Sequence, residues 1–174
     1  AKERKIPEKY WNRLYYIEHM KDLVRIAPAY EGRLNLERRL LIPFHNNQRR
    51  IVGLSGRALD GQKLRYQTVK LFDEPLVYGL NYVDKFQRVY ITEGPFDSMF
   101  LDNAIGAGGS SMLVAASMFD DPVIVFDNQP RNPEIVSQIR SIANKGFAMV
   151  VWPSGWLYKD INEAIMDGIP REDV

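Results

Sequence analysis

The sequence predicts an α/β protein whose second half forms a parallel sheet of about four strands with flanking helices. Between residues 88 and 174, short β-branched and aromatic runs alternate with segments of helical spacing. Such alternation is typical of parallel strands joined by right-handed crossovers. Between residues 40 and 67, by contrast, short strands are separated only by turn residues, which predicts an antiparallel arrangement. We therefore predict a small basic α+β subdomain over residues 1–87 and an α/β domain over residues 88–174.

Composition restricts the classes of protein to which the chain can belong. The 174 residues are 45% hydrophobic, which is enough for a sizeable core, and include no cysteine. Disulfides and thiolate zinc sites are therefore excluded. The two histidines, His19 and His45, lie in polar surroundings, so a histidine-rich metal centre is excluded as well. No apolar run approaches a membrane span and no signal peptide is visible, so we expect a cytoplasmic protein with no membrane partner.

Charge is divided unevenly along the chain, although the net charge is only +1. Residues 1–87 hold 17 Lys and Arg against 10 Asp and Glu, whereas residues 88–174 hold 6 against 12. A basic region joined to an acidic one indicates that a polyanion binds the first and that cations gather on the second. Uneven scattering of ordinary surface charge is the alternative.

The basic region begins with a polar segment of helical spacing, closed by Pro28. We predict a helix over residues 7–26. Its apolar stripe consists of Tyr10, Trp11, Leu14, Ile17, Met20, Leu23 and Val24.

The spacing then changes to that of short strands, which we predict over residues 40–44, 49–57 and 63–67. Basic side chains and one tyrosine can share a face of this sheet: Arg49, Arg57, Lys63, Arg65, Tyr66 and Lys70. Basic residues interleaved with an aromatic suit single-stranded nucleic acid, through phosphate contacts and base stacking. A solvated antiparallel face explains the same pattern equally well.

In the acidic region, a strand over residues 89–92 ends on Glu93, and Gly94-Pro95 begins a helix predicted over residues 95–103. Asp97 lies in the first turn of that helix, so its carboxylate can reach the same strand end. Two converging acids need a cation nearby to be stable. An acid favoured by the helix dipole is the alternative for Asp97.

Three further strands follow. The second, from residue 104, ends in a loop with Gly108 and Gly109, whose N–H groups can hold a phosphate. The third, residues 122–127, ends on Asp127 and leads to a helix over residues 133–145. A fourth strand over residues 147–152 precedes a final helix with Asp160 as its N-cap. Parallel strands bring Glu93, the glycine loop and Asp127 to one edge of the sheet.

Several of these segments occur in the order seen in a known family. Residues 41–44, 50–57, 64–67 and 76–80 resemble the RNA-polymerase core of bacterial DnaG-type primases, and residues 93–97 resemble the first acidic motif of a Toprim domain. The resemblance extends from about residue 40 to residue 174. Residues 127–132 and 159–163 resemble the primase subunits of T-even-type bacteriophages.

This resemblance implies roles for individual residues. Glu93, Asp97, Asp127 and Asp160 would be catalytic, and one or two Mg²⁺ or Mn²⁺ ions would bind Glu93, Asp127, Asp160 and Gln129. Gln129 stands where the family has an acid. The centre therefore has fewer charges, has lost its metal, or holds a substitution that captures an inactive state. The residues implied to bind nucleic acid or nucleoside triphosphate are Arg57, Lys63, Arg65, Tyr66, Lys70, Gly108, Gly109, Arg131 and Lys159.

The function implied is synthesis of RNA primers from nucleoside triphosphates on a single-stranded DNA template, with a replicative helicase as partner of the full-length protein. Primases of this type have a zinc-binding domain, so we expect this chain to be a catalytic fragment and zinc to belong to a domain that is missing. Three alternatives remain open: a Toprim nuclease, a non-catalytic nucleic-acid-binding module with a decayed centre, and a receiver-like phosphoacceptor domain around Asp127.

Overall fold

The strands form two sheets in a computed structural model that describes residues 1–109 and 111–174. The first sheet is antiparallel, with strand order β1-β2-β3-β4. Its strands are β1 Tyr15–Ile17, β2 Arg39–His45, β3 Ile51–Ala58 and β4 Tyr66–Lys70. The second sheet is parallel, with order β6-β5-β7-β8. Its strands are β5 Val89–Thr92, β6 Ala104–Gly106, β7 Pro122–Val125 and β8 Ala148–Met149. The predicted α/β class and the parallel sheet of four strands are confirmed.

The α-helices connect or follow the strands of the parallel sheet. They are α1 Pro95–Ser98, α2 Met112–Ala116, α3 Pro133–Asn144 and α4 Ile161–Asp167. The described part of the chain also forms five short 3₁₀ helices, Lys2–Arg4, Glu8–Arg13, Met20–Arg25, Pro28–Tyr30 and Arg171–Asp173. Within the described residues, none of the helices has both the length and the apolar character needed to cross a membrane.

The predicted helix over residues 7–26 is wrong. The segment instead forms a 3₁₀ helix, strand β1 and a second 3₁₀ helix. The cause is pairing with a distant strand: Tyr15 and Tyr16 lie opposite Leu41 and Leu40 of β2. The apolar stripe is divided accordingly, because Tyr10, Trp11 and Leu14 pack against one core cluster and Met20 and Leu23 belong to another.

Several element bounds also differ from the predicted ones. Helix α1 stops at Ser98, whose Oγ donates to the carbonyl of Pro95 at 2.7 Å. Strand β4 begins at Tyr66, three residues later than predicted, and β8 comprises only two residues at the edge of the sheet. Helix α3 and the N-cap role of Asp160, which accepts from the N–H of Glu163, are confirmed. Ser110 of the predicted glycine loop lies outside the described residues.

One hydrophobic cluster joins the two sheets. It brings Phe44 and Val52 of the antiparallel sheet together with Phe96 after β5, Val125 of β7 and Ile161 of α4. Each of these side chains is buried. The antiparallel sheet therefore packs directly beside the strand ends at which the predicted acids lie. The division at residue 87 stays a prediction.

Candidate active site

Two of the predicted acids lie at the carboxyl edge of the parallel sheet. Glu93 follows β5 and Asp127 lies two residues beyond β7, and these strands are parallel neighbours, with Thr92 opposite Val125. The backbone N–H of Asp127 donates to Glu93 Oε1 at 3.2 Å. Strand pairing alone thus brings the two acids together.

The other two acids lie at helix starts beside this edge. Asp97 is in α1, and its Oδ1 accepts a hydrogen bond from the N–H of Asn162 at 3.0 Å, in the first turn of α4. Asp160 caps α4, with its Oδ1 2.8 Å from the N–H of Glu163. Glu93, Asp97, Asp127 and Asp160 all line one cavity of about 290 Å³.

Two of these carboxyl groups are half-buried and form no ion pair among the described residues. Burial, with the negative charge of Asp160 as a smaller contribution, raises the pKa of Asp97 to about 7. Burial and the charge of Asp127 also raise the pKa of Glu93 above its ordinary value. Within residues 1–109 and 111–174, no ion pair involves Glu93 or Asp97. A cation placed between them would therefore be strongly favoured.

The opposite holds for Asp127, which is paired with Lys159. Lys159 Nζ lies 2.5 Å from Asp127 Oδ2 and 3.8 Å from Asp160 Oδ2. Burial lowers the pKa of Lys159, but the hydrogen bond and the charge of Asp127 outweigh it and raise that pKa above its ordinary value. Lys159 is thus a fixed positive charge within the acidic group.

Gln129 supplies a second donor to the same carboxylate. Its Nε2 donates to Asp127 Oδ2 at 3.1 Å, and its Oε1 accepts from Asn132 Nδ2 at 3.4 Å. The amide oxygen is therefore engaged with Asn132, while the nitrogen faces the acid. A metal-ligating role for Gln129 stays a prediction.

The acids suit a divalent cation in the type of donor they offer. Hard cations prefer carboxylate oxygens, and the half-buried Glu93 and Asp97, which form no ion pair among the described residues, provide them. Among the described residues, however, no three His, Asp or Glu side chains already converge as a finished site would require. The donor type therefore fits a divalent ion, although the described positions are not those of a finished metal site.

Basic and aromatic side chains form the facing wall of the cavity. Arg57 of β3 and Arg65, just before β4, line it together with Tyr66. Arg57 and Tyr66 are directly opposite in the β3–β4 register, and the guanidinium carbon lies 4.8 Å from the centroid of the tyrosine ring. The predicted association of these three residues therefore follows from strand pairing.

Arg4 is a fourth member of this wall that the sequence analysis missed. Its Nη1 donates to Asn162 Oδ1 at 2.5 Å, and Asn162 Nδ2 donates back to the Arg4 carbonyl at 3.0 Å. The guanidinium carbon lies 5.3 Å from the centroid of the Phe96 ring. Burial and the nearby charge of Arg57 lower the pKa of Arg4. Among several Lys and Arg in residues 1–13, no local signal distinguishes this one.

Known proteins are similar to this chain in sequence or in fold. No family model matches the chain. Its fold is similar to the Aquifex aeolicus primase structure of zinc-binding and RNA polymerase domains, with a TM-score of 0.70, 19% identity, and coverage of 99% of this chain and 52% of that one. The E. coli primase catalytic core gives a TM-score of 0.68 at 14% identity, covering 95% of this chain and 67% of that one. These two likenesses show the fold.

The sequence comparison decides the family. The DNA primase of Enterobacteria phage T4 is 34% identical over 170 residues, which are 95% of this chain and 49% of that protein. The chain belongs to the family of this DNA primase. It spans about half the length of this curated relative. Primases of this family generally use a divalent metal ion.

Lys159, also predicted to bind nucleic acid, lines the 290 Å³ cavity, whereas Lys63, Lys70 and Arg131 do not. Lys63 is exposed in the β3–β4 loop, and Arg131 is exposed in the loop before α3. Lys70 lies at the far end of β4 and pairs with Asp73 at 2.8 Å. Their roles stay predictions.

The glycine loop lines a neighbouring cavity of about 280 Å³, which shares Tyr66 and Glu93 with the first. Gly108 has a φ of +59°, and a Cβ at this position would lie 2.2 Å from a ring carbon of Phe44. Only glycine fits that close approach. The predicted phosphate contact of Gly108 and Gly109 is untested.

Proposed function

We propose that this chain is the catalytic part of a DNA primase, which joins nucleoside triphosphates into short RNA primers on a single-stranded DNA template. The observation that supports it is the cavity with an acidic wall at the strand ends and a basic, aromatic wall on the antiparallel sheet. Nucleotidyl transfer needs both: cations at the phosphate and basic side chains around it. The relative from phage T4 is itself a DNA primase.

The reaction is attack of a 3′-hydroxyl on the α-phosphorus of an incoming triphosphate, which develops negative charge on the phosphate oxygens. Glu93, Asp97, Asp127 and Asp160 would hold Mg²⁺ or Mn²⁺, which neutralises that charge when bound. Arg57 and Arg65 face the acids across the cavity, so each can donate hydrogen bonds to the triphosphate or to the template backbone.

The partners are part of the same proposal. The template is single-stranded DNA, the product is an RNA primer, and a replicative helicase delivers the template in the full-length protein. Zinc belongs to a separate domain of that protein. Acting on replicating DNA of a bacteriophage, the enzyme would work in the host cytoplasm.

Incorporation of labelled nucleotide into RNA on single-stranded DNA tests the proposal. Asp127→Asn should reduce incorporation by at least about 100-fold, the usual cost of losing one group that stabilises transition-state charge. Asp120→Asn is the matched control, because Asp120 is exposed and lies just before β7, at the opposite edge of the sheet.

The same reactions distinguish the alternatives. Cleavage of the single-stranded DNA into shorter pieces would indicate a Toprim nuclease. DNA binding without incorporation by the unaltered chain would indicate a decayed module. Either result contradicts the proposed primase activity.

A further inference from the structure

The cavity beside the glycine loop differs in character from the cavity that the four acids line. It encloses about 280 Å³ and shares Tyr66, Glu93 and Gly94 with the 290 Å³ cavity of the acids. Among the described residues that line it, Glu93 carries the only charge. The 280 Å³ cavity is therefore a nearly neutral space that opens directly beside the acidic centre.

A basic cavity adjoins the acidic centre on its other side. This cavity, of about 440 Å³, shares Arg4, Arg57 and Arg65 with the 290 Å³ cavity. The three cavities follow one another along β3, because Ser55 lines the neutral one, Arg57 the acidic one and Ala58 the basic one. Neutral and basic surroundings thus lie on opposite sides of the acids.

This order matches the two parts of a nucleoside triphosphate. Its phosphates suit the side with the arginines, because charge-assisted hydrogen bonds to phosphate are strong. Its sugar is bonded to the α-phosphate through O5′, so an α-phosphate at the acids places the ribose immediately beside them. The nearly neutral 280 Å³ cavity is in that position. A further cavity of about 540 Å³, between α2 and α3, meets the acidic one only at Glu93.

Two hydroxyl groups line the 280 Å³ cavity. Ser55 of β3 and Thr68 of β4 are directly opposite in the strand register, and Ser55 Oγ lies 3.0 Å from Thr68 Oγ1. Among residues 1–109 and 111–174, neither hydroxyl has another hydrogen-bond partner. One hydrogen bond between two hydroxyls uses one of their two hydrogens. The pair therefore still has a hydrogen and several lone pairs to offer to a ligand.

The burial of this pair makes the spare hydrogen significant. Ser55 is only 4% exposed, and a buried hydroxyl hydrogen without an acceptor lowers stability. The neighbouring parts of the wall are the ring of Phe44, Pro95 and the backbone of Gly108. Since Glu93 belongs to the acidic centre, the two hydroxyls are the groups that can orient a neutral ligand here.

We propose that the 280 Å³ cavity binds the ribose of the incoming nucleoside triphosphate, and that Ser55 and Thr68 select ribonucleotides by hydrogen bonds to the 2′-hydroxyl. A 2′-hydroxyl both donates and accepts, so it complements the pair. A deoxyribonucleotide lacks that group and leaves the spare hydrogen of the pair unbonded, which lowers its affinity. The proposal rests on the primer synthesis proposed above and adds the residues that distinguish the sugar.

Calorimetric titration in Mg²⁺ buffer with ATP, 2′-deoxyATP and 3′-deoxyATP tests the proposal through binding alone. The unaltered chain should bind ATP at least about tenfold more tightly than 2′-deoxyATP, and 3′-deoxyATP about as tightly as ATP. The double variant Ser55→Ala/Thr68→Val removes both hydroxyls with little change of shape and should bind ATP only as tightly as 2′-deoxyATP. Ser137→Ala, an exposed change on α3, is the matched control and should keep the preference.

Equal affinity of the unaltered chain for ATP and 2′-deoxyATP would overturn the proposal. So would a preference that persists in the double variant, or one that depends on the 3′-hydroxyl instead. If the double variant does not fold, Ser55→Ala and Thr68→Val are measured singly, and an unchanged preference in both overturns the proposal. RNA synthesis without discrimination between the sugars would contradict this proposal alone, whereas discrimination without RNA synthesis would contradict the proposed function alone.

Discussion

The acidic and basic regions place their functional side chains by different means. In the parallel sheet, Glu93 and Asp127 each follow a strand, and strand pairing brings them to one edge. In the basic region, Arg57 lies within a strand, Arg65 lies in a loop, and Arg4 ends a short 3₁₀ helix. Topology therefore fixes Glu93 and Asp127, whereas the basic wall is completed by Arg4 through contacts with a segment distant in sequence. The predictions below test each side of this contrast.

The largest effect, a loss of stability, is expected from replacing a basic residue that stabilises the fold. Arg39 is completely buried, and its guanidinium donates to the carbonyls of Gly56 and Leu64 at 3.0 and 3.1 Å. Arg39→Met leaves both carbonyls without these donors and should lower the free energy of unfolding by about 3 kcal/mol. Arg57→Met, in the neighbouring strand, should change it by less than about 1 kcal/mol. Urea unfolding measures both.

Equal losses in the two variants would contradict this division between structural and functional arginines of the antiparallel sheet. For binding of single-stranded DNA by the folded protein we expect the reverse order, in which Arg57→Met weakens binding more than Arg39→Met does.

Affinity for single-stranded DNA should depend on the basic wall. Arg57→Ala and Arg65→Ala should each weaken binding by about tenfold and reduce the slope of log affinity against log salt by about 0.7, because each removes one phosphate contact. Arg25→Ala is the control, since Arg25 is exposed outside the cavity. Fluorescence anisotropy at several salt concentrations gives the slopes. An affinity that does not depend on salt would contradict this prediction, because it would mean that these arginines do not contact phosphates.

The acidic wall should make stability depend on pH. Because the folded-state pKa of Asp97 is about 7 and its ordinary value is 3.8, the folded chain holds a proton that the unfolded chain releases. This group therefore favours folding below pH 4, and its contribution is lost as the pH rises through 7. In metal-free buffer, the fall in unfolding free energy between pH 5 and pH 8 should be smaller for Asp97→Asn than for the unaltered chain.

The exposed Asp22 supplies the control for this pH effect. Asp22→Asn should keep the pH dependence of the unaltered chain. An unchanged dependence in Asp97→Asn would show that the carboxyl of Asp97 titrates normally.

The smallest effect concerns Gln129. Gln129→Glu adds a negative charge beside Asp127 and should raise Mn²⁺ affinity several-fold, with Lys159 taking up part of the added charge. Primer synthesis should rise with it in a full-length protein that includes the zinc-binding domain. Gln138→Glu, an exposed change on α3, is the control in calorimetric titrations. No gain over that control would mean that Gln129 only links Asp127 to Asn132.

The parallel sheet and its strand-end acids could be predicted from sequence for a physical reason. Buried strands are short β-branched runs, and Gly94-Pro95 marks where one of them ends. Because crossovers between parallel strands have one hand, the position of Glu93 relative to Asp127 required no knowledge of side-chain contacts. The capping role of Asp160 was equally local.

The irregular segments could not be predicted in the same way. The apolar spacing of residues 7–26 fits a helix, but Tyr15 and Tyr16 pair with β2 because of hydrogen bonds to a strand more than 20 positions away. The contacts of Arg4 with Asn162 and of Lys159 with Asp127 likewise depend on where loops meet. No pattern in the neighbouring sequence predicts that these segments lie in contact.

The mutual hydrogen bonds of Arg4 and Asn162 have a consequence for how the site forms during synthesis. The two residues are 158 positions apart. At translation rates of roughly 5–20 residues per second, Arg4 is synthesised roughly 8–32 s before its partner exists. During that interval Asp97 also lacks the N–H of Asn162. A nascent chain can therefore pair β2 with β3 early, yet it cannot assemble this active site until translation has passed α4.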